Sequence, residues 1–245
     1  MISFEQALRR VSGVEGWLTD DQARSLFECA ARVAAPGRIV EIGSFRGRST
    51  IVLASAAPAG VELIAIDPHG GGDRGPQETG PNSEHGDCDH AAFERNLARA
   101  EVRQRVRHVR TFSQTALGEV DGDVDLLYID GAHRYRAARE DIERWGGRVG
   151  FGGTMLMHDA FSAIGVTLAQ LRVLVFSSRW RYQGRDGSLA RYRHARLGRR
   201  ARLRNALEQL GGLPYFARNV MIKVLIVAEL RPLAALLGCR EDWPY

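Results

Sequence analysis

Short apolar runs alternate along this chain with longer stretches whose apolar residues recur every three or four positions. The stretch "TDDQARSLFECAARVAA", residues 19–35, puts Leu26, Phe27, Ala30 and Val33 on one face and predicts a helix capped by Thr19 or Asp20. "GRIVEIG" predicts a buried strand, "RSTIVLASAA" a helix, and "VELIAIDPHG" a second strand stopped by Pro68. "CDHAAFERNLARAEV" predicts the next helix, "RVRHVRTF" a third strand and "VDLLYIDG" a fourth. An amphipathic helix follows in "RYRAAREDIERW", and "GTMLMHDAF" predicts a fifth strand. Such alternation gives βαβ units and a mostly parallel sheet with helices on both faces. "RVLVFSSRWRYQGRDGSLARYRH" predicts two more strands joined at "GRDG", an antiparallel hairpin at the sheet edge that brings the count to seven.

The expected division is one α/β domain over residues 1–195, with an N-terminal helical cover, and a helical extension over 196–245. In the extension Leu213, Phe216, Val220, Val224 and Val227 recur at helical spacing. A stripe of that size needs cover, from its own domain or from the same element of a second subunit, and a homodimer is the expected solution. One polar stretch, "GGGDRGPQETGPNSEHGD" from Gly70 to Asp87, interrupts the pattern after the second strand. Loops of this length are commonly active-site lids, which makes Asp73, Glu84, His85 and Asp87 candidate substrate contacts.

Composition narrows the partners. Cys29, Cys88 and Cys239 lie far apart without a CxxC spacing, which argues against structural zinc or a disulfide framework and fits a reducing cytosol. The opening "MISFEQALRRVSGVEGW" lacks the apolar core of a signal peptide. The run "VMIKVLIVAEL" carries Lys223 and is about half as long as a spanning helix. The chain therefore reads as soluble and cytoplasmic. Between Arg172 and Arg204 stand eleven arginines and one acid, Asp186. Such a patch attracts nucleic acid, anionic lipid or acidic partners. Nothing nearby resembles a zinc finger or an aromatic RNA platform, so nucleic acid is not expected, while weak contact with a membrane surface stays open.

The candidate chemistry gathers where strands end. In open parallel sheets, ligands sit beyond the carboxyl ends of the strands. The first strand ends in "EIGSFRGRST", where Gly43 and Gly47 allow a tight turn and close approach to a ligand. Ser44 lies in the turn, and Ser49 and Thr50 enter the next helix, whose exposed amides favour a negative group. Asp67 ends the second strand, placed to accept hydrogen bonds from ribose hydroxyls. Phe45 stands where a dinucleotide turn needs its second glycine, and no lysine completes a phosphate loop. What remains is ExGxxxG, Glu41 to Gly47, with Glu41 able to lie near a cationic amino-acid group. This resembles the first motif of class I S-adenosylmethionine-dependent methyltransferases, which have a Rossmann-like fold. Ser113, after the third strand, joins the candidate cofactor contacts.

Asp130 ends the fourth strand and Asp159 the fifth, with His158 beside it. Neighbouring carboxylates repel, and a divalent cation such as Mg²⁺ would relieve them. His158 suits a softer metal and is either a third ligand or a supporting partner. Either aspartate could instead cap the helix that follows it. His133 is the first candidate for a general base, since histidine titrates near neutrality, with His69 as alternate.

Together "VEIGSFRGRST", "AIDPH", "YIDGAHRY", "GGTMLMHD" and "GSLARYR" resemble the metal-dependent sugar O-methyltransferases of antibiotic biosynthesis and their cephalosporin hydroxylase-like relatives, over roughly residues 15–195. The most specific element is IDGxHxY followed by GGxxxxHD. The resemblance implies S-adenosylmethionine as cofactor, Mg²⁺ or another divalent cation at Asp130 and Asp159, and a carbohydrate acceptor whose hydroxyl is methylated. Asp130 would then also border the cofactor. A catechol-type acceptor, or a relative running other chemistry, are the alternatives, because a fold does not fix a reaction.

Overall fold

The computed structural model describes residues 2–72 and 80–238. Seven strands form one sheet: β1 (Gly37–Ile42), β2 (Val61–Ile66), β3 (Val106–Val109), β4 (Val124–Ile129), β5 (Val149–Met157), β6 (Trp180–Asp186) and β7 (Leu189–His194). Their spatial order is β3-β2-β1-β4-β5-β7-β6. The first five pair in parallel, and β7 runs antiparallel to both β5 and β6, so β7 alone is reversed. The order turns back at β1, which has β2 on one side and β4 on the other. That switch point opens a crevice at the carboxyl ends of β1 and β4.

Because successive strand residues point to opposite faces, each strand feeds two cores. Ile39, Leu63, Leu126 and Tyr128 pack with α1 (Phe4–Val11), α2 (Asp20–Ala31), α3 (Arg48–Ala56) and α4 (Ser83–Arg99). Val40, Ile64, Leu127 and Ile129 pack with α5 (Ser113–Ala116), α6 (Tyr135–Arg144) and α7 (Ile164–Leu174). The N-terminal cover is built on two capping boxes. Ser3 and Gln6 bond reciprocally at the start of α1, as do Thr19 and Gln22 at the start of α2.

Two boundaries differ from the sequence pattern. Helix α4 starts at Ser83, where Asn82 accepts a hydrogen bond from the His85 amide at 3.0 Å. Glu84, His85 and Asp87 therefore lie in the first turns of a helix rather than in the polar loop, and Asp87 pairs with Arg110. Asp73, with the rest of 73–79, lies outside the described residues. The base of the loop is closed, since the Asn82 amide donates to the Gly70 carbonyl at 2.9 Å. The second difference is at Arg172 to Leu174, which continue α7 with Leu174 fully buried; the first hairpin strand begins only at Trp180. A short apolar run fits a buried helix as well as a strand. The hairpin closes at Gly187 and Ser188, between the paired Asp186 and Leu189, with Gly187 at φ +58°.

After β7 come α8 (Arg199–Leu210), α9 (Leu213–Val227) and α10 (Arg231–Leu236). Buried Asn205 of α8 accepts from the Tyr182 amide at 2.7 Å and donates to the Trp180 carbonyl at 3.1 Å. It thereby occupies backbone groups that the edge strand β6 would otherwise expose. In α9 buried Asn219 donates to the Phe161 carbonyl at 3.0 Å. Of the stripe expected from the sequence, Leu213, Val224 and Val227 are exposed while Phe216 packs toward the core, and Ala217 and Met221 complete the outward face.

Candidate active site

The ends of β1, β2, β4 and β5 frame a cleft of about 620 Å³, within the usual range for small-molecule sites. Its floor is laced by backbone hydrogen bonds from Gly43 to Ile66 at 2.9 Å and from Asp130 to Ile42 at 2.8 Å. Gly43 has φ +85°, and a Cβ there would lie 2.1 Å from the Asp130 carbonyl oxygen. Only glycine lets the turn pass under the end of β4. The Ser44 hydroxyl is buried on the cleft wall with no hydrogen-bond partner among the described residues.

The other candidates for the cofactor divide. Asp67 and Ser113 line the cleft with Ser44 and Ser49. Asp67 is already engaged: one oxygen accepts from the Ser44 and Phe45 amides at 2.9 and 2.8 Å, the other from the His69 amide at 2.7 Å. It fixes the glycine turn while standing at its edge. Glu41 lies behind the cleft wall, fully buried, and accepts from the Ser49 and Thr50 hydroxyls. Burial pushes its carboxyl up to about 8 against those two hydrogen bonds, with Asp130 and Asp67 adding to the rise. Gly47 faces α4, where a Cβ would meet Leu97 at 2.6 Å, so its freedom serves packing and the left-handed start of α3. Ser113 donates to Asp141, whose carboxyl burial pushes up to about 6.

At the ends of β4 and β5 the two aspartates meet through histidines. His158 places Nδ1 3.2 Å from Asp130 and 3.1 Å from Asp159. His133 places Nε2 2.9 Å from Asp159. Asp130 also accepts from the Tyr128 hydroxyl at 2.8 Å. Burial opposes charge on His158, but the two carboxylates outweigh it and hold the imidazole well above its ordinary value. For Asp159, burial is likewise outweighed by His158 and His133, which keep the carboxyl well below its ordinary value. Burial would also lower His133, yet Asp159 and Asp130 raise it. The repulsion expected between the acids is thus met by the His158 imidazole, whose Nδ1 stands between them. Neither aspartate is used as a cap: the N-cap residues of α6 and α7 are Arg134 and Ala163, and neither helix has a side-chain cap bond. Asp159 itself sits at φ +55°, a costly conformation for a non-glycine residue.

His69 lines the same cleft on the Asp67 side, and among the described residues no contact joins it to the two aspartates at the ends of β4 and β5. Its buried ring packs against Phe93, His90 and His108, with Nε2 2.8 Å from the Phe45 carbonyl. Three contributors were not foreseen. Gln22 reaches His158 Nε2 at 3.3 Å from the cap of α2, Tyr128 supports Asp130, and Trp17 lines the cleft with its ring 5.4 Å from that of Phe45. The signal for Gln22 was the T-x-x-Q spacing of a capping box; Tyr128 showed itself only as a hydroxyl in an apolar strand.

Asp130, His133 and Asp159 each offer an atom to a common point, all within 4.8 Å of one another. The two carboxylates supply the oxygen ligands that suit a divalent cation, so the residues fit the implied metal, with His133 beside it. The orphaned Ser44 hydroxyl and the glycine-floored cleft likewise fit an adenosyl cofactor.

Comparison with known proteins agrees with this architecture. Residues 40–160 match the family model of a methyltransferase domain. An uncharacterized protein of Sinorhizobium fredii is 32% identical over 132 residues, which are 51% of this chain and 13% of that protein. The chain therefore spans only a small part of that relative. Among solved structures, the O-methyltransferase TomG of Streptomyces achromogenes, involved in tomaymycin synthesis and in complex with SAM, aligns at TM-score 0.53 and 18% identity over 80% of this chain and 88% of that one. An O-methyltransferase of Bacillus cereus in complex with SAH aligns at 0.55 and 15% identity, over 80% and 90%. The O-methyltransferase NovP aligns at 0.58 and 16% identity, over 72% and 81%. At such identities the likeness is one of fold. Residues 40–160 are thus similar to a methyltransferase domain, and the seven-stranded sheet around them shares the Rossmann-like fold of these solved methyltransferases.

Proposed function

We propose that the chain transfers a methyl group from S-adenosylmethionine to a hydroxyl oxygen of a sugar, with a divalent cation held by Asp130 and Asp159. The observation that carries this reading is the pair of aspartates bound to His133 and His158 at the ends of β4 and β5, next to the Gly43 turn. The cofactor supplies an electrophilic methyl group on sulfur. A cation at the aspartates would lower the pKa of a bound hydroxyl and fix its orientation.

The protein's own residues do the rest. Asp67 and the glycine turn hold the adenosyl end, and Ser44 and Ser113 supply polar contacts on either side of it. His133 takes the proton of the acceptor hydroxyl, while Asp159 at 2.9 Å orients the ring and stabilises the imidazolium. His158 either joins the ligand set or supports it from behind, held by Gln22. Trp17, with Gly16 and Leu18, lines the cleft and offers an apolar face to the ligand.

Incubating the purified protein with adenosylmethionine, Mg²⁺ and a panel of glycosides tests the proposal, with mass detection of one added CH₂ unit. Methylation that chelator abolishes and Mg²⁺ restores is the expected result. Methylation of catechols alone would overturn the sugar acceptor and keep the O-methyl transfer. Full turnover in excess chelator would overturn the metal.

A further inference from the structure

The net positive charge of this chain lies in its tail. Residues 1–195 hold 25 arginines and 25 acids, whereas residues 196–238 hold eight cations and only Glu208 and Glu229 as acids. The same segment carries an apolar face. On α8, Leu203 and Leu207 are 61% and 63% exposed beside exposed Arg199, Arg200 and Arg204. On α9 the outward positions Leu213, Ala217, Met221 and Val224 contain no charge. On α10 Leu236 is 82% exposed.

The stretch Arg199–Val227 is long and apolar enough to cross a membrane by length and composition, and little of it is buried. Its contacts argue against crossing. Asn205 and Gln209 tie α8 to β6, β7 and the end of α7, and Asn219 and Lys223 tie α9 to the Phe161 and Ser162 carbonyls. A helix docked along its inner side by buried amides leaves only its outer side for a bilayer. That is the arrangement of a helix lying in the plane of the interface, with leucines in the acyl boundary and arginines at the headgroups.

We propose that α8, α9 and α10 form a docking surface for an anionic lipid bilayer. Charge selects this occupant. Two copies paired through this face would gather both arginine clusters into one interface with only Glu208 and Glu229 among residues 196–238 of each copy to offset them, an excess of like charge that opposes association. An anionic membrane satisfies both the apolar face and the arginines, each basic residue adding to attraction near the surface. The proposal is independent of the acceptor, although the face adjoins the loop after Asp159 through Asn219 and Lys223.

Co-sedimentation of the full chain with phosphatidylcholine vesicles, with and without phosphatidylglycerol, tests it. The expected result is binding only where phosphatidylglycerol is present, weakening as salt rises. Arg199→Glu with Arg200→Glu should weaken binding roughly tenfold or more, and Met221→Asp with Val224→Asp should abolish it. Both double variants alter exposed positions, and unchanged circular dichroism and unfolding midpoint verify that they fold. Absence of binding to the anionic vesicles overturns the proposal, as does binding by Met221→Asp/Val224→Asp equal to that of the parent. A dimer in light scattering that this variant dissociates assigns the face to a second copy and overturns it too.

Discussion

Gln22 and His158 are joined across 136 residues of chain: the Gln22 side-chain oxygen lies 3.3 Å from His158 Nε2. The same oxygen accepts from the Thr19 amide at 3.0 Å, and the Gln22 nitrogen donates to Ser188 at 3.1 Å. One side chain therefore caps α2, holds the hairpin turn and orients the imidazole between the two aspartates. Gln22→Ala should lower unfolding stability by about 1–2 kcal/mol, from the lost cap and buried hydrogen bonds. It should also reduce methyl transfer while leaving binding of S-adenosylhomocysteine intact. Stability and turnover both at parent level would show that the network is incidental.

Asp130 and Asp159 carry the proposed chemistry, so their charge must matter more than their shape. Asn substitution at either keeps the volume and removes the carboxylate. Turnover should fall roughly 10²-fold or more, the scale of positioned acid–base catalysis. Calorimetry with S-adenosylhomocysteine separates this from collapse of the cofactor site, since affinity in the Asp159→Asn variant should stay near that of the parent. A variant with normal turnover would return that aspartate to a structural role.

The strand ends were legible in the sequence because apolar runs that stop at Gly43, Asp67, Asp130 and Asp159 have a period and a boundary that local physics dictates. Their convergence followed from the parallel topology. What stayed hidden was set by long-range contact. Asp67 spends its oxygens on the amides of residues 44, 45 and 69, and no spacing rule reports that. The bridging position of His158 depends on two carboxylates brought together by the pairing of β4 with β5. The helical start at Ser83 was masked by a polar composition typical of loops, although Asn82 was a legitimate cap. Along α9 the expected stripe divides, Leu213, Val224 and Val227 outward and Phe216 inward, because apolar residues occupy both faces and periodicity alone does not separate inside from outside.

Gly43 offers a test of how the cofactor turn is built. Its φ of +85° and the 2.1 Å approach of a Cβ to the Asp130 carbonyl combine two separate penalties. Gly43→Ala should destabilise the protein by more than about 2 kcal/mol and weaken S-adenosylhomocysteine binding, because the turn and the end of β4 must part. Urea unfolding reads the first effect and calorimetry the second. An alanine variant matching the parent in both would mean that the turn has room the geometry denies.

Glu41 makes stability depend on pH in a direction opposite to that of a surface carboxylate. Burial pushes its folded-state value up to about 8, against 4.5 as the ordinary value taken for the unfolded chain. Between these limits the folded protein holds a proton that the unfolded chain has released. Stability therefore falls as pH rises across the window, by at most about 1.4 kcal/mol per pH unit from this group, and levels off above it. Glu41→Gln removes the titration while keeping a side chain able to bond Ser49 and Thr50. The difference in unfolding free energy between variant and parent should shift steadily in favour of glutamine from pH 5 to pH 8. Urea titrations at several pH values within that span decide it. Parallel profiles for the two proteins would show that Glu41 titrates alike in both states and that its burial costs the charged form nothing.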